Sequence, residues 1–139
     1  MICNRTRAKA EAKRDAWFPD ADVLDDLDAV LARDDIEVID ITVHPAERVA
    51  MMEAALSAGR HVLSQKPFVL DLDVGERLVE LADRRGVRLA VNQNGRWAPH
   101  LAWMREAVRA GLIGDRVSCH ARVHWDHGWI ADTAFDDVD

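Results

Sequence analysis

Three observations predict an α/β fold, with part of a doubly wound parallel sheet followed by the start of an antiparallel α+β domain. The first is a nearly unbroken β-branched run, Val38, Ile39, Ile41 and Val43, the pattern of a strand covered on both faces of a parallel sheet. The second is the pair of segments directly after it: an amphipathic stretch closed by Gly59 and a second apolar run, His61-Val62-Leu63-Ser64. A helix joining two strands is the connection that parallel pairing needs. The third is a change of period to two between Val117 and Trp125. There Val117, Cys119, Ala121, Val123 and Trp125 alternate with Ser118, His120, Arg122 and His124, giving a strand with one wet face. The expected boundary assigns residues 1–97 to the parallel part and 98–139 to the second domain.

Taken in order, Ile2-Cys3 is an apolar pair shorter than an ordinary strand, so the chain reads as beginning inside one. Thr6 stands where it can cap a helix from about Arg7 to Trp17, striped by Ala8, Ala12 and Ala16, and Phe18-Pro19-Asp20 ends it. Asp25 or Asp26 caps a short helix through Leu27, Val30 and Leu31, and Asp34-Asp35 leads into the strand at Val38, expected to be central in its sheet. After His44-Pro45, Val49, Met52, Ala55 and Leu56 recur at three- and four-residue steps, leaving Glu47, Arg48 and Glu53 to water. Gly59 supplies the left-handed residue that stops this helix. Beyond Pro67, a helix from about Leu72 to Arg85 carries Val74, Leu78, Leu81 and Ala82 and stops at Gly86; Val87 to Val91 is a further buried strand. Pro99 opens a helix with Leu101, Met104, Val108 and Leu112 apolar, closed by Gly111 and Gly114, and the acidic tail Ala131 to Asp139 is expected to be loose.

The chain has 139 residues, 49% of them hydrophobic, enough for one core. No apolar stretch approaches the roughly 20 residues of a membrane span, and a net charge of −7 repels phosphate backbones, so neither membrane nor nucleic acid is an expected partner. Cys3 and Cys119 belong to no metal or redox spacing, which with the absence of a signal-peptide pattern points to a reduced, cytoplasmic setting. The cluster Asp20, Asp22, Asp25, Asp26 and Asp28 lacks glycine-centred calcium-loop spacing and reads as capping and a solvated face. On a strand, His120 and His124 lie about 13 Å apart by rise, too far for one ion. His124, Asp126 and His127 could converge through a turn, but the reading adopted is no metal, with a polar sheet face or subunit contact instead.

Parallel sheets bind ligands at the carboxyl ends of their strands. Three such ends deliver polar residues here: Thr42 to Pro45, Ser64 to Pro67, and Asn92 to Trp97. Lys66 follows an apolar strand and precedes a proline, where a cation is partly desolvated and can serve as a proton donor; the plainer reading is a surface lysine in a loop.

The residues Ala54-Ala55-Leu56, Ala58-Gly59-Arg60-His61-Val62-Leu63, Gln65-Lys66-Pro67, Asn94-Gly95-Arg96-Trp97-Ala98-Pro99 and Gly111-Leu112-Ile113-Gly114 carry a resemblance. The chain resembles the Gfo/Idh/MocA family of NAD(P)-dependent oxidoreductases. The resemblance implies a Rossmann domain followed by an open antiparallel α+β domain, with hydride transfer between nicotinamide and a hydroxyl-bearing carbon of a sugar, polyol or similar small molecule. It makes Lys66 the catalytic residue. The expected cofactor-binding set is Asn4, Arg5, Val43, His44, Pro45, Gln65, Lys66, Pro67, Asn94, Arg96 and Trp97. NAD or NADP is implied, and Arg5 beside Asn4, in place of the usual acidic residue after the second strand, favours NADP. Gln65 stands where the family has a glutamate, and Val43-His44-Pro45 and Arg48 stand at its threonine-proline-asparagine turn and following histidine. The family's glycine-rich phosphate turn and the acidic and histidine pair of its second domain have no counterpart, so the chain reads as an internal piece of a longer protein, inactive alone. The full-length protein is expected to be a homo-oligomer through its C-terminal sheet. The alternatives are a dinucleotide-binding or regulatory module without turnover, and an inactive truncated product.

Overall fold

The computed structural model describes residues 1–115, 118–122 and 124. β1 (Ile2–Cys3) pairs in parallel with β2 (Val23–Leu24), the two joined by α1 (Arg7–Trp17). After α2 (Leu27–Leu31), β3 (Val38–Ile41), β4 (His61–Gln65) and β5 (Leu89–Asn92) form a second parallel sheet in the order β3-β4-β5. Its crossovers are α3 (Pro45–Ser57) and α4 (Leu72–Arg85); a 3-10 helix (Asn94–Trp97) and α5 (Pro99–Arg109) come after β5. The chain divides into two compact units, Met1–Trp97 and Ala98–Asp139.

Each helix starts and stops for a local reason. Asp26 caps α2 by accepting from Ala29 N–H at 3.1 Å, and Asp71 caps α4 by accepting from Asp73 and Val74 N–H. Pro45 and Pro99 occupy first turns, where no backbone N–H is missed. Thr6 sits at the N-cap of α1 without a side-chain cap bond; Asn4 Oδ1 accepts from the Thr6 N–H at 2.8 Å instead. Gly59 at φ 74° ends α3, and Arg60 N–H returns to Ala55 O at 3.0 Å.

The main core lies where α3 and α4 cover one face of β3-β4-β5. Ile41, Met52, Ala55, Leu56, Val62, Leu78 and Ala82 are buried together, each large side chain contributing roughly 1.5–3 kcal/mol. The register sets Ile39, Val62 and Leu89 in one row and Ile41, Ser64 and Val91 in the next on this face. Gly75 lets Phe68 and Val69 lie close on α4, since a Cβ there would stand 3.0 Å from Val69 Cγ2.

Several expectations are corrected. β3 is an edge strand among the described residues and not a central one: it pairs only with β4, and Val38 is 58% exposed because α3 and α4 cover the opposite face. β2 was not foreseen, two residues being too few to show a period. Of the strand expected at Val117–Trp125, Ser118–Arg122 and His124 carry no strand pairing, as no described strand offers their backbone a partner, and the remainder lies outside the described residues. So do the acidic tail, Asp126 and His127. On α5, Leu101 and Met104 are exposed and Ala107 is the buried residue.

A charged clamp ties the loops that enter the two sheets. Arg33 donates to both oxygens of Asp35, at 2.8 and 2.6 Å, and to Asp22 at 2.6 Å, while Arg60 Nη2 donates to Arg33 O at 2.8 Å. Hydrogen bonding from Arg33 lowers the Asp35 pKa from 3.8 to about 2. A depressed carboxylate stabilises the fold above its ordinary range and loses that contribution as pH falls through about 2. A carboxyl titration followed by NMR should place Asp35 near 2 and, in Arg33→Ala, return it toward 3.8; an Asp35 titration that ignores the substitution contradicts the clamp.

Candidate functional site

Because β3, β4 and β5 run parallel, they finish along one edge. Ile41, Ser64 and Val91 lie level, and Gln65 is level with Asn92 one step on. The residues past these ends therefore gather at that edge: Val43, His44 and Pro45 beyond β3; Gln65, Lys66 and Pro67 at and beyond β4; Asn94, Arg96 and Trp97 beyond β5. Asn4 and Arg5 follow β1, and Arg5 Nη1 reaches Glu47 Oε1 at 3.5 Å on the first turn of α3. That pair is 88% and 55% exposed, so it places β1's end beside the edge without much energy of its own.

At the base of the edge is a residue that the sequence reading left to water. Arg48 is 2% exposed. Its Nε and Nη2 donate to Val43 O at 3.2 and 2.7 Å, and its Nη1 donates to both Gln65 O and Pro67 O. One guanidinium thus joins the end of β3 to the turn leaving β4. Burial lowers its pKa; carbonyl dipoles solvate the charge, and no carboxylate bonds it among the described residues. The signal was in the spacing: Arg48, Met52, Ala55 and Leu56 stand at i, i+4, i+7 and i+8, all on the buried stripe of α3.

Above this base the expected residues differ in setting. Lys66 is exposed, not partly desolvated as expected, because its turn passes over the sheet edge. Its N–H donates to Gln65 Oε1 at 2.8 Å, which leaves the amide NH2 and the second lone pair of Oε1 for a ligand. The Lys66–Pro67 peptide is cis. Val43, Pro45 and Gln65 are half-buried, whereas His44, Pro67, Asn94, Arg96 and Trp97 are exposed. The Arg96 guanidinium lies 5.2 Å from the Trp97 ring centroid, a stacked pair beside the β5 end. Ser64 is fully buried beneath the edge and donates to Gln65 O at 3.2 Å.

An open groove of about 580 Å³ is lined by Arg7, Arg14, Asp22 and Arg33, but these arginines pair with Glu11, Asp15, Asp22 and Asp35, and no residue of β3, β4 or β5 lines it. Cys3 and Cys119 are free thiols. Partial burial first, then Asp26 and Asp25, raise the Cys3 pKa, which makes it a poor nucleophile. Among the described residues no group of three His, Cys, Asp or Glu could hold a metal ion, and no helix is long and apolar enough to cross a membrane.

Residues 1–93 match the family model described as GFO_IDH_MocA, oxidoreductase family, NAD-binding Rossmann fold. The chain belongs to the Gfo/Idh/MocA family. It is 31% identical over 119 residues to an uncharacterized oxidoreductase of Schizosaccharomyces pombe, covering 86% of this chain and 32% of that protein. It is 32% identical over 110 residues to the scyllo-inositol 2-dehydrogenase (NADP(+)) IolW of Bacillus subtilis, covering 79% and 30%. Its fold superposes on the WlbA dehydrogenase of Bordetella pertussis, solved with NADH and UDP-GlcNAcA, with a TM-score of 0.74 and 26% identity over 81% of this chain and 32% of that one. The chain spans about a third of the length of the curated relatives it matches. In this Gfo/Idh/MocA chain the residues at the β4 end and the buried Arg48 beneath them form one bonded unit. Arg48→Ala should therefore cost on the order of 2–3 kcal/mol by leaving buried carbonyls without a donor, measured by urea unfolding; a loss below about 0.5 kcal/mol would show that water replaces the guanidinium freely.

Proposed function

We propose that the natural protein carrying this chain is a nicotinamide-dependent oxidoreductase, acting at a hydroxyl-bearing carbon of a sugar, polyol or related small molecule. The observation that carries this reading is the position of Gln65, the last residue of the middle strand of a parallel sheet, and of Lys66 just past it, between the ends of β3 and β5, in a chain of this family. The polar groups present fit the nicotinamide and ribose end of a dinucleotide. Gln65 and Asn92 offer amides level with each other, and Val43, His44 and Pro45 form a turn held from below by Arg48. The family's cofactor, when bound, gives or accepts a hydride at C4 of its ring.

In this reading Lys66 Nζ hydrogen-bonds the substrate hydroxyl and carries its proton as the carbon is oxidised or reduced. Gln65 holds the ribose, Asn94 and Arg96 bind polar groups beside it, and Trp97 offers a flat apolar wall. Either NAD or NADP serves as cofactor, with NADP favoured by Arg5, whose guanidinium can pair with a 2′-phosphate. A polyol or sugar substrate is supported by the scyllo-inositol named for the Bacillus relative and the nucleotide sugar bound to the Bordetella one. The setting is cytoplasmic, residues 98–139 begin a substrate domain, and that domain's sheet makes a homo-oligomer. A second reading, a dinucleotide-binding module without turnover, is favoured by one observation, the exposure of Lys66.

Lys66→Ala should lower turnover of the natural protein by about 10²- to 10⁴-fold with cofactor affinity little changed, and Lys66→Arg should not restore it, since a guanidinium stays protonated. Near-normal turnover in a folded Lys66→Ala protein moves the binding-module reading ahead. For the cofactor, kcat/KM compared between NADP(H) and NAD(H) should favour the phosphorylated form and lose that preference in Arg5→Ala; a strong NAD preference indifferent to the substitution rejects the assignment.

A further inference from the structure

We infer that Arg48 is the positioning residue for Lys66, setting where the lysine side chain leaves the backbone relative to the end of β3; the inference rests on the proposed role of Lys66. Gln65 and Pro67 are the residues on either side of Lys66, and a single nitrogen, Arg48 Nη1, donates to both of their carbonyls. The other side of the same planar group donates twice to Val43 O. A guanidinium cannot bend, so the turn bearing Lys66 is held at a set distance and angle from the turn bearing Val43, His44 and Pro45.

The holder is itself immobile. Arg48 lies one helical turn before Met52, which like Ala55 and Leu56 is fully buried in the core, so the guanidinium is referenced to the most tightly packed part of α3. On the far side of the turn, Phe68 and Val69 lie against Gly75 of α4. Lys66 thus leaves a backbone fixed from both crossover helices while its side chain stays exposed. An apolar side chain at position 48 would spare the cost of burying a charge. It could not bond three carbonyls at once, and that is the property a reaction requiring a placed amine depends on.

The test is a double-substitution cycle in the natural protein with Arg48→Lys, Lys66→Ala and both together, reading kcat, KM and cofactor dissociation constant, with circular dichroism confirming folding. Acting through Lys66, Arg48→Lys should lower kcat about tenfold or more, move the cofactor dissociation constant by less than about threefold, and add less than about twofold to Lys66→Ala. If Lys66→Ala is strongly impaired while Arg48→Lys is harmless or multiplies fully onto it, this inference is overturned and the Lys66 assignment stands. Normal turnover in Lys66→Ala rejects that assignment and this inference with it. Arg48→Gln repeats the cycle should the lysine variant not fold. In the unsubstituted protein, the Arg48 guanidinium protons should exchange slowly with solvent; fast exchange overturns the proposal by itself.

Discussion

Parallel pairing is the constraint on which the rest of this structure depends. Two parallel neighbours cannot be joined by a tight turn, so each strand must be followed by a helix that carries the chain back to the starting edge. α3 and α4 do this for β3, β4 and β5. The same requirement collects the carboxyl ends of β3, β4 and β5 along one edge, so residues far apart in sequence, Val43, Lys66 and Arg96 among them, follow the strands there. The site is thus a by-product of strand direction, and no loop has to be long to build it.

An inward cation makes that edge more than a set of loops. Carbonyls at the carboxyl ends of parallel strands need donors where the ladder stops. Arg48 supplies them to Val43, Gln65 and Pro67 from a position 2% exposed. It serves as a cross-brace between the turns that leave two paired strands, beyond the point where the ladder holds them. The Lys66 side chain is exposed while the carbonyls on either side of it are bonded to Arg48, which is how a site keeps an exposed group both placed and available.

The sequence was most readable where two signals agreed. α4 falls on the expected residues because its apolar stripe coincides with Gly86 at its end, whereas α1 keeps its expected span but buries Ala10, leaving the expected stripe of Ala8, Ala12 and Ala16 exposed. The gathering of strand ends was legible too, since it needs only strand direction. β3 was misread because a β-branched run reports which burial a strand is suited to, and which neighbours it has in this structure is a separate matter; Val38 is open to solvent. β5 begins two residues later than expected, since Arg88 N–H is taken by His61 Nδ1 at 2.9 Å. The charge of Arg48 argues for the surface, but its spacing from Met52 and Leu56 puts it on the buried stripe of α3, and the stripe decides.

The most direct measurement of the central claim is where a reduced nicotinamide cofactor touches the protein. Isotope-labelled natural protein titrated with NADH and with NADPH should show backbone amide shifts concentrated at Val43–Pro45, Gln65–Lys66 and Asn92–Trp97, with the Arg48 Nε–H signal moving alongside them. Shifts confined to the groove around Arg7, Arg14 and Arg33, or none at cofactor concentrations that saturate the protein, would contradict the account.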